Sequence, residues 1–269
     1  MPNRDAPLIT SSANPIVKHI RSLLRRKGRS EERAFVVEGV RCVFDAFAAG
    51  TQVDLVLLRA DSVTGSLEQR IPADVPVRYA EPTIFDALSE VTHSQGIMAT
   101  VSIDALPGAV NHDDTSPALL LVVDGVKDPG NLGTLLRSAA GGGVSEVLLT
   151  RETVDPFNPK SVRAGMGAHF RIPIRSCSHD GLHKRLQDIS TVALADATGT
   201  ADYWEIDWTG PSAIVVGGEA DGPSPATRLQ ATTTVRIPLF AGVESLNAGV
   251  AGSLLIFEVA RQRRGINKP

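Results

Sequence analysis

The chain has 269 residues, 42% of them apolar and 21% charged, which excludes a disordered or fibrous protein and allows one large or two ordinary cores. Only Cys42 and Cys177 are present, far apart and without a second cysteine beside either, so neither a disulfide framework nor a zinc site is expected. A net charge of −3 excludes a basic footprint over the whole surface, yet seven basic residues face only Glu31 and Glu32 between Lys18 and Arg33, and Arg261, Arg263, Arg264 and Lys268 form a second cluster.

Asn14-Pro15 reads as a helix start, because Asn caps free N–H groups and proline is tolerated in the first turn. Ile16, Ile20, Leu23 and Leu24 then form an apolar stripe at helical spacing, with Lys18, Arg21 and Arg25 off it. Residues 35–37 read as a buried strand, Val40, Val43, Phe44 and Phe47 as a helix closed by Gly50, and 53–58 as another strand. A strand at 77–80, a short helix at 84–91 and a strand at 97–103 complete a small α/β domain over residues 1–105. Residues 106–117 lose this periodicity, carry Pro, Gly, Asn, His and Asp, and read as a linker.

The second domain is expected over residues 118–269. Strands are predicted at 119–123, 146–149, 192–195 and 213–216, with helical segments between them. A last strand at 235–238 precedes a helix from about 246 to 261. Strands alternating with helices predict an α/β fold with a mostly parallel sheet covered on both faces. The longest apolar runs, such as 118–123, are too short to cross a bilayer, and the first twenty residues lack an apolar signal core. A cytoplasmic protein is the expectation.

Two familiar nucleotide signatures fail. Gly141-Gly-Gly143 is followed by Val-Ser-Glu, which lacks the third glycine of a dinucleotide fingerprint. Gly217 to Gly222 has the glycine spacing of a phosphate loop, but Pro223 and Ser224 stand where Lys and Ser/Thr are required.

Three other segments follow or open predicted elements. In Asn131-Leu-Gly-Thr-Leu-Leu-Arg137, Asn131 follows Asp-Pro-Gly and, taken alone, reads as a plain helix cap, with Arg137 an exposed residue. Six helical positions put the two side chains about 120° apart and on the order of 9 Å along the axis, so they do not share a face. Gly217-Gly-Glu-Ala-Asp-Gly222 ends a strand, where glycine permits a sharp turn and a close ligand. Ile237-Pro-Leu239 ends another, and Glu244-Ser-Leu-Asn247 opens the last helix, whose free N–H groups suit an anion. Ser245 also reads as a plain cap. Ala248, Gly249, Ala251 and Gly252 imply close backbone packing, either under the site loops or against another subunit.

Together and in this order, these segments resemble the three motifs of the SpoU (TrmH-like) family of RNA ribose 2′-O-methyltransferases, over about residues 118–260. The resemblance implies S-adenosylmethionine as methyl donor, no metal, a trefoil-knotted C-terminal domain and a homodimer. General topology rules argue against a knot. It also implies that Asn131, Arg137, Glu219, Ser245 and Asn247 form the catalytic site, with Gly217, Ile237 and Leu246 on the cofactor. Where the family usually has Gly, this chain has Ala220.

Residues 160–169 match a further family stretch, and His169 is either a base, by its ordinary pKa, or a structural histidine. Glu38-Gly39 before a helix and Ser94-Gln-Gly-Ile97 before a strand resemble the small RNA-binding domain that precedes many such enzymes. Lys18, Arg25, Arg26 and Arg29 are the candidate phosphate contacts, against the alternative of a solvated charged face. Large-subunit rRNA is the expected substrate, in a housekeeping or an antibiotic-resistance role. A tRNA-directed relative and a non-catalytic RNA-binding protein on the same fold are the alternatives.

Overall fold

The structure, a computed structural model, describes residues 7–62, 65–106 and 117–266. Most of the expected linker at 106–117 lies outside the described residues. In chain order the first stretch forms α1 (Pro15–Leu23), α2 (Arg26–Glu32), β1 (Ala34–Glu38), α3 (Val40–Ala48), β2 (Val53–Arg59), α4 (Gly65–Glu68), β3 (Val77–Ala80), α5 (Pro82–Asp86) and β4 (Ile97–Ser102). The second begins with β5 (Leu119–Asp124), α6 (Pro129–Gly142), β6 (Glu146–Thr150), α7 (Pro159–Gly165), β7 (Ile174–Cys177) and α8 (His179–Leu186). It ends with β8 (Thr191–Ala195), β9 (Ala201–Asp202), β10 (Ser212–Gly217), α9 (Pro225–Arg228), β11 (Thr233–Arg236) and α10 (Ala248–Ile266).

Two compact units result. One is Met1–Pro107 with Phe157–Phe170, and the other is Gly108–Pro156 with Arg171–Pro269. The segment 157–170 therefore packs with the first unit, although in sequence it lies within the range expected for the second domain.

The first unit is a mixed sheet in the order β1-β4-β2-β3, with β4 antiparallel to β1 and β2, and β3 parallel to β2. Its strands alternate between two faces, as side chains of period two do, apart from a register shift between Val53 and Leu55 in β2. Phe35, Val37, Val56, Leu58, Ile97 and Ala99 face one core with α3 and the inserted Val162 and Phe170. Val36, Leu57 and Met98 face the other with Val17, Ile20, Leu23 and Phe85. The Asn14 side chain caps α1, accepting from the Ile16 amide at 2.9 Å. The buried face of that helix is Val17, Ile20 and Leu23, one position off the expected stripe at Ile16. The helix expected at 84–91 instead starts at Pro82 and stops at Asp86. The chain leaves it because the Ser89 hydroxyl donates to Glu38 at 2.5 Å and accepts from the Val91 amide at 3.1 Å.

The second unit is a seven-stranded sheet in the order β7-β6-β5-β10-β8-β11-β9, and every pairing in it is parallel. Both β5 and β6 are buried along their whole length, which explains their unbroken apolar runs. The partly exposed Ile-Arg-Ser-Cys of β7 gave no such signal. The strand expected to reach Pro238 ends at Arg236, as proline has no N–H to donate to a ladder.

Gly249 and Gly252 decide how α10 packs. A side-chain carbon on Gly249 would lie 3.1 Å from Thr134 and 3.3 Å from the Asn131 carbonyl oxygen. One on Gly252 would collide with Leu135. The small residues are thus used against α6 of the same chain, where the Ser138 and Ser253 hydroxyls also meet at 2.7 Å. Val250, Leu254 and Phe257, on another face of α10, remain exposed.

Candidate active site

Because the strands of the second unit run parallel, the loops after them emerge along one edge, where open α/β sheets place their ligands. Residues following β8, β10 and β11, together with the entry to α10, enclose a cleft of about 580 Å³. That size suits a nucleoside-sized ligand. Val216, Val235, Ile237, Leu239 and Leu246 supply apolar wall, and Gly217 through Pro223 supply a turn of backbone. The three expected cofactor contacts, Gly217, Ile237 and Leu246, all line it.

The turn is held shut by its own packing. The Gly222 amide donates to the Gly218 carbonyl at 3.0 Å. A side-chain carbon on Gly217 would collide with Pro223 and lie 2.6 Å from the Gly222 carbonyl carbon. The glycine is thus required by the turn closing on itself, rather than by a ligand alone. Asp124, at the end of β5 and 1% exposed, fastens this turn. Its carboxylate accepts from the Ser224 amide at 2.8 Å, the Ser224 hydroxyl at 2.7 Å and the Thr150 hydroxyl at 2.6 Å. Burial pushes that carboxyl up, but hydrogen bonds from Thr150, Thr227 and Ser224 outweigh it and hold it below its usual value.

Asp196, after β8, lines the cleft as well. Hydrogen bonds from the Thr198 hydroxyl, the Thr198 amide and Arg228 keep its carboxyl below the ordinary range. Sequence reading missed Asp124, Asp196 and Arg228. The one available signal was an acidic residue at the carboxyl end of an apolar strand.

A chain of hydrogen bonds joins the three motifs. The Asn247 amide donates to Asn131 Oδ1 at 2.7 Å, and Asn131 Nδ2 donates to Glu219 Oε1 at 2.5 Å. Both ends of the Asn131 amide are thereby used, which fixes its orientation. The helix caps differ from expectation. Asp128, not Asn131, caps α6, its carboxylate accepting from the Asn131 amide at 2.9 Å. The last helix opens at Ala248 rather than near 246, with Asn247 Oδ1 accepting from the Val250 amide at 3.2 Å. Ser245 lines the cleft instead of capping that helix. Arg137 is the outlier: it is exposed on α6, pairs with no carboxylate among the described residues and does not line the cleft.

The other candidates divide. Lys18, Arg25 and Arg26 are exposed. Arg29 is 3% exposed and donates to the Leu23 carbonyl at 2.8 Å, so it serves the α1–α2 junction and is withdrawn as a phosphate contact. His169 is 1% exposed, with its ring 6.1 Å from Phe35 and 5.8 Å from Phe157 in the core of the first unit, a structural position rather than that of a base. Of the C-terminal basic cluster, Arg261 pairs with Glu258 at 2.7 Å. Arg263 donates to the carbonyls of Trp208, Pro117, Ala118 and Gly210. Lys268 lies outside the described residues. Among the described residues, no helix is long and apolar enough to cross a membrane, and no group of three or more His, Cys, Asp and Glu is placed to hold a metal ion.

Comparison with known proteins agrees with this geometry. Residues 118–257 match the SpoU rRNA methylase family, and residues 14–99 match the MRM3-like substrate binding domain. The chain is 32% identical to a 23S rRNA (guanosine-2′-O-)-methyltransferase of Xylella fastidiosa, over 95% of this chain and 94% of that one. It is 31% identical to the mitochondrial rRNA methyltransferase 3 of Mus musculus, over 89% of this chain and 70% of the relative. Among solved structures, an S-adenosylmethionine-bound rRNA methyltransferase from Sinorhizobium meliloti superposes with a TM-score of 0.82 at 28% identity, covering 95% of this chain and 98% of the other.

Proposed function

The chain belongs to the SpoU rRNA methylase family, and on that premise we propose that it transfers a methyl group from S-adenosylmethionine to a ribose 2′-hydroxyl of large-subunit rRNA. The observation that carries this reading is the Asn247–Asn131–Glu219 chain of hydrogen bonds beside a glycine-turn cleft. The cleft fits the donor: an apolar wall including Ile237 and Leu246 takes the flat base, and the backbone of the Gly217–Pro223 turn takes polar groups. When bound, the sulfonium supplies an already activated methyl group.

The protein's own residues then have to align and deprotonate the ribose hydroxyl. Asn131 is held from both sides and positions Glu219, whose second carboxylate oxygen is left to accept from the ribose. Ser245 and Asn247 frame the same approach at the entry to α10. The planar guanidinium of Arg137 suits a bidentate grip on the target phosphate and stabilisation of the developing alkoxide. Its exposure and lack of a carboxylate partner support that role.

The first unit presents the RNA, with Lys18, Arg25 and Arg26 toward phosphates, and the second unit performs the transfer. β10 lies between β5 and β8 in the sheet and α10 returns onto α6, which supports the trefoil knot that the family resemblance implies. The exposed row of Val250, Leu254 and Phe257 supports a homodimer. The setting is the cytoplasm.

The test is to incubate rRNA with the protein and labelled donor and to map the 2′-O-methyl position. Arg137→Ala should lose at least about 100-fold in turnover while donor affinity stays within about twofold. Near-normal turnover by that variant on full-length rRNA would remove Arg137 from the mechanism, and the absence of any 2′-O-methyl product with the unaltered chain would overturn the reading.

A further inference from the structure

Four charged side chains line the cleft: the carboxylates of Asp196, Glu219 and Asp221, and the guanidinium of Arg228. Asp196 is the most firmly held of the three acids. Its Oδ1 accepts from the Thr198 amide at 2.9 Å and the Thr198 hydroxyl at 2.7 Å, while Oδ2 accepts from Arg228 Nη1 at 2.9 Å. Hydrogen bonds to an ionised carboxyl favour ionisation, so Asp196 carries its charge throughout the working pH range. Glu219 is oriented by the neutral Asn131 amide. Asp221 sits exposed in the turn. Arg228 is half-exposed and offsets only part of this negative charge.

A sulfonium methyl donor carries one positive charge more than the thioether left after transfer. The two share the nucleoside, the α-ammonium and the α-carboxylate, so contacts to those groups cannot tell them apart. The field at the sulfur can. We propose that Asp196, together with Asp221, selects the cationic donor over the neutral product, so that the spent thioether is the more weakly held ligand. This rests on the methyl-donor reading given above and adds to it a specificity role for residues on the β8 side of the cleft. One added or removed charge in a water-exposed cleft changes relative affinity by roughly three- to tenfold, and salt weakens the effect.

Calorimetry on the full chain with S-adenosylmethionine, S-adenosylhomocysteine and sinefungin tests this. Sinefungin carries an amine in place of the methylated sulfur and is cationic there without a transferable methyl group. The two cationic ligands should bind more tightly than S-adenosylhomocysteine at low salt, with the gap closing as salt rises. Asp196→Asn keeps the shape and the Thr198 contacts, and it should cut the preference by roughly three- to tenfold. Arg228→Gln removes the offsetting charge and should widen the preference. A purely structural role would weaken all three ligands alike and leave the ratio unchanged in both variants, and that result overturns the proposal. So does a ratio that moves in the same direction in both. Failure of every ligand to bind the unaltered chain would overturn the methyl-donor reading itself, and the proposal with it.

Discussion

The mixed sheet of the first unit and the parallel sheet of the second are built from the same material, short apolar strands separated by helices, and they organise polar residues differently. In the mixed sheet β4 runs against both β1 and β2, so the loops that follow these strands leave from opposite edges. Its polar contacts are scattered rather than gathered at one edge, such as Ser89 and Ser94 donating to Glu38 and Arg33 pairing with Asp104. In the parallel sheet the loops after β5, β8, β10 and β11 all leave from one edge. That brings Asn131 to Asn247 across 116 positions of sequence. Strand direction, not sequence proximity, assembles the site.

The comparison breaks most sharply at the inserted segment. Val162 and Phe170 are buried against Phe35 and Val37, and Phe157 packs on them with its ring 5.0 Å from Phe35. A fragment of residues 1–106 lacks all three, and should give no cooperative thermal transition by circular dichroism. Adding a peptide of residues 157–170 should restore one. In the full chain, Phe170→Ala should cost about 3–5 kcal/mol, as expected for removing a buried ring. A fragment that melts sharply without the peptide would mean that the first unit is complete on its own.

A second test sharpens the account of the parallel edge. Gly217→Val forces branched carbons against Pro223 and the Gly222 backbone, where the turn has no slack. Overpacking of this kind costs about 1–3 kcal/mol. Donor affinity should fall at least about tenfold, because the displaced turn forms one wall of the cleft. Unchanged melting with unchanged donor affinity would show that the turn tolerates the side chain and does not define the site.

Sequence made the local parts of this molecule legible. The cap at Asn14, the apolar runs of β5 and β10 and the parallel alternation all follow from propensity and periodicity. The motif residues were legible as a resemblance, yet the bonds among them were not. Asp128 rather than Asn131 caps α6, a choice between two good caps three residues apart. Asp124 closes β5 and Asp196 follows β8; beyond the local Thr198 bonds to Asp196, the partners that tie them into the site, Ser224 and Arg228, lie 100 and 32 residues away. The allegiance of residues 157–170 to the first unit depends on contacts with Phe35 that no local pattern encodes.

The smallest expected effect separates residues that look alike in sequence. Arg25, Arg26 and Arg29 belong to one basic run, but Arg25 and Arg26 are exposed while Arg29 is buried on the Leu23 carbonyl. Arg25→Gln and Arg26→Gln should leave the melting temperature unchanged. If each meets a phosphate, each should reduce the slope of log affinity against log salt by roughly 0.7 to 0.9, as one fewer counterion is released on RNA binding. Arg29→Gln should do the reverse, costing about 1–3 kcal/mol of stability by stranding a buried acceptor, with the salt slope unchanged. Filter binding over a salt series, paired with thermal melts, reads both quantities. A salt slope that falls only with Arg29→Gln would invert the assignment and place the RNA contact at the α1–α2 junction instead of on the exposed arginines.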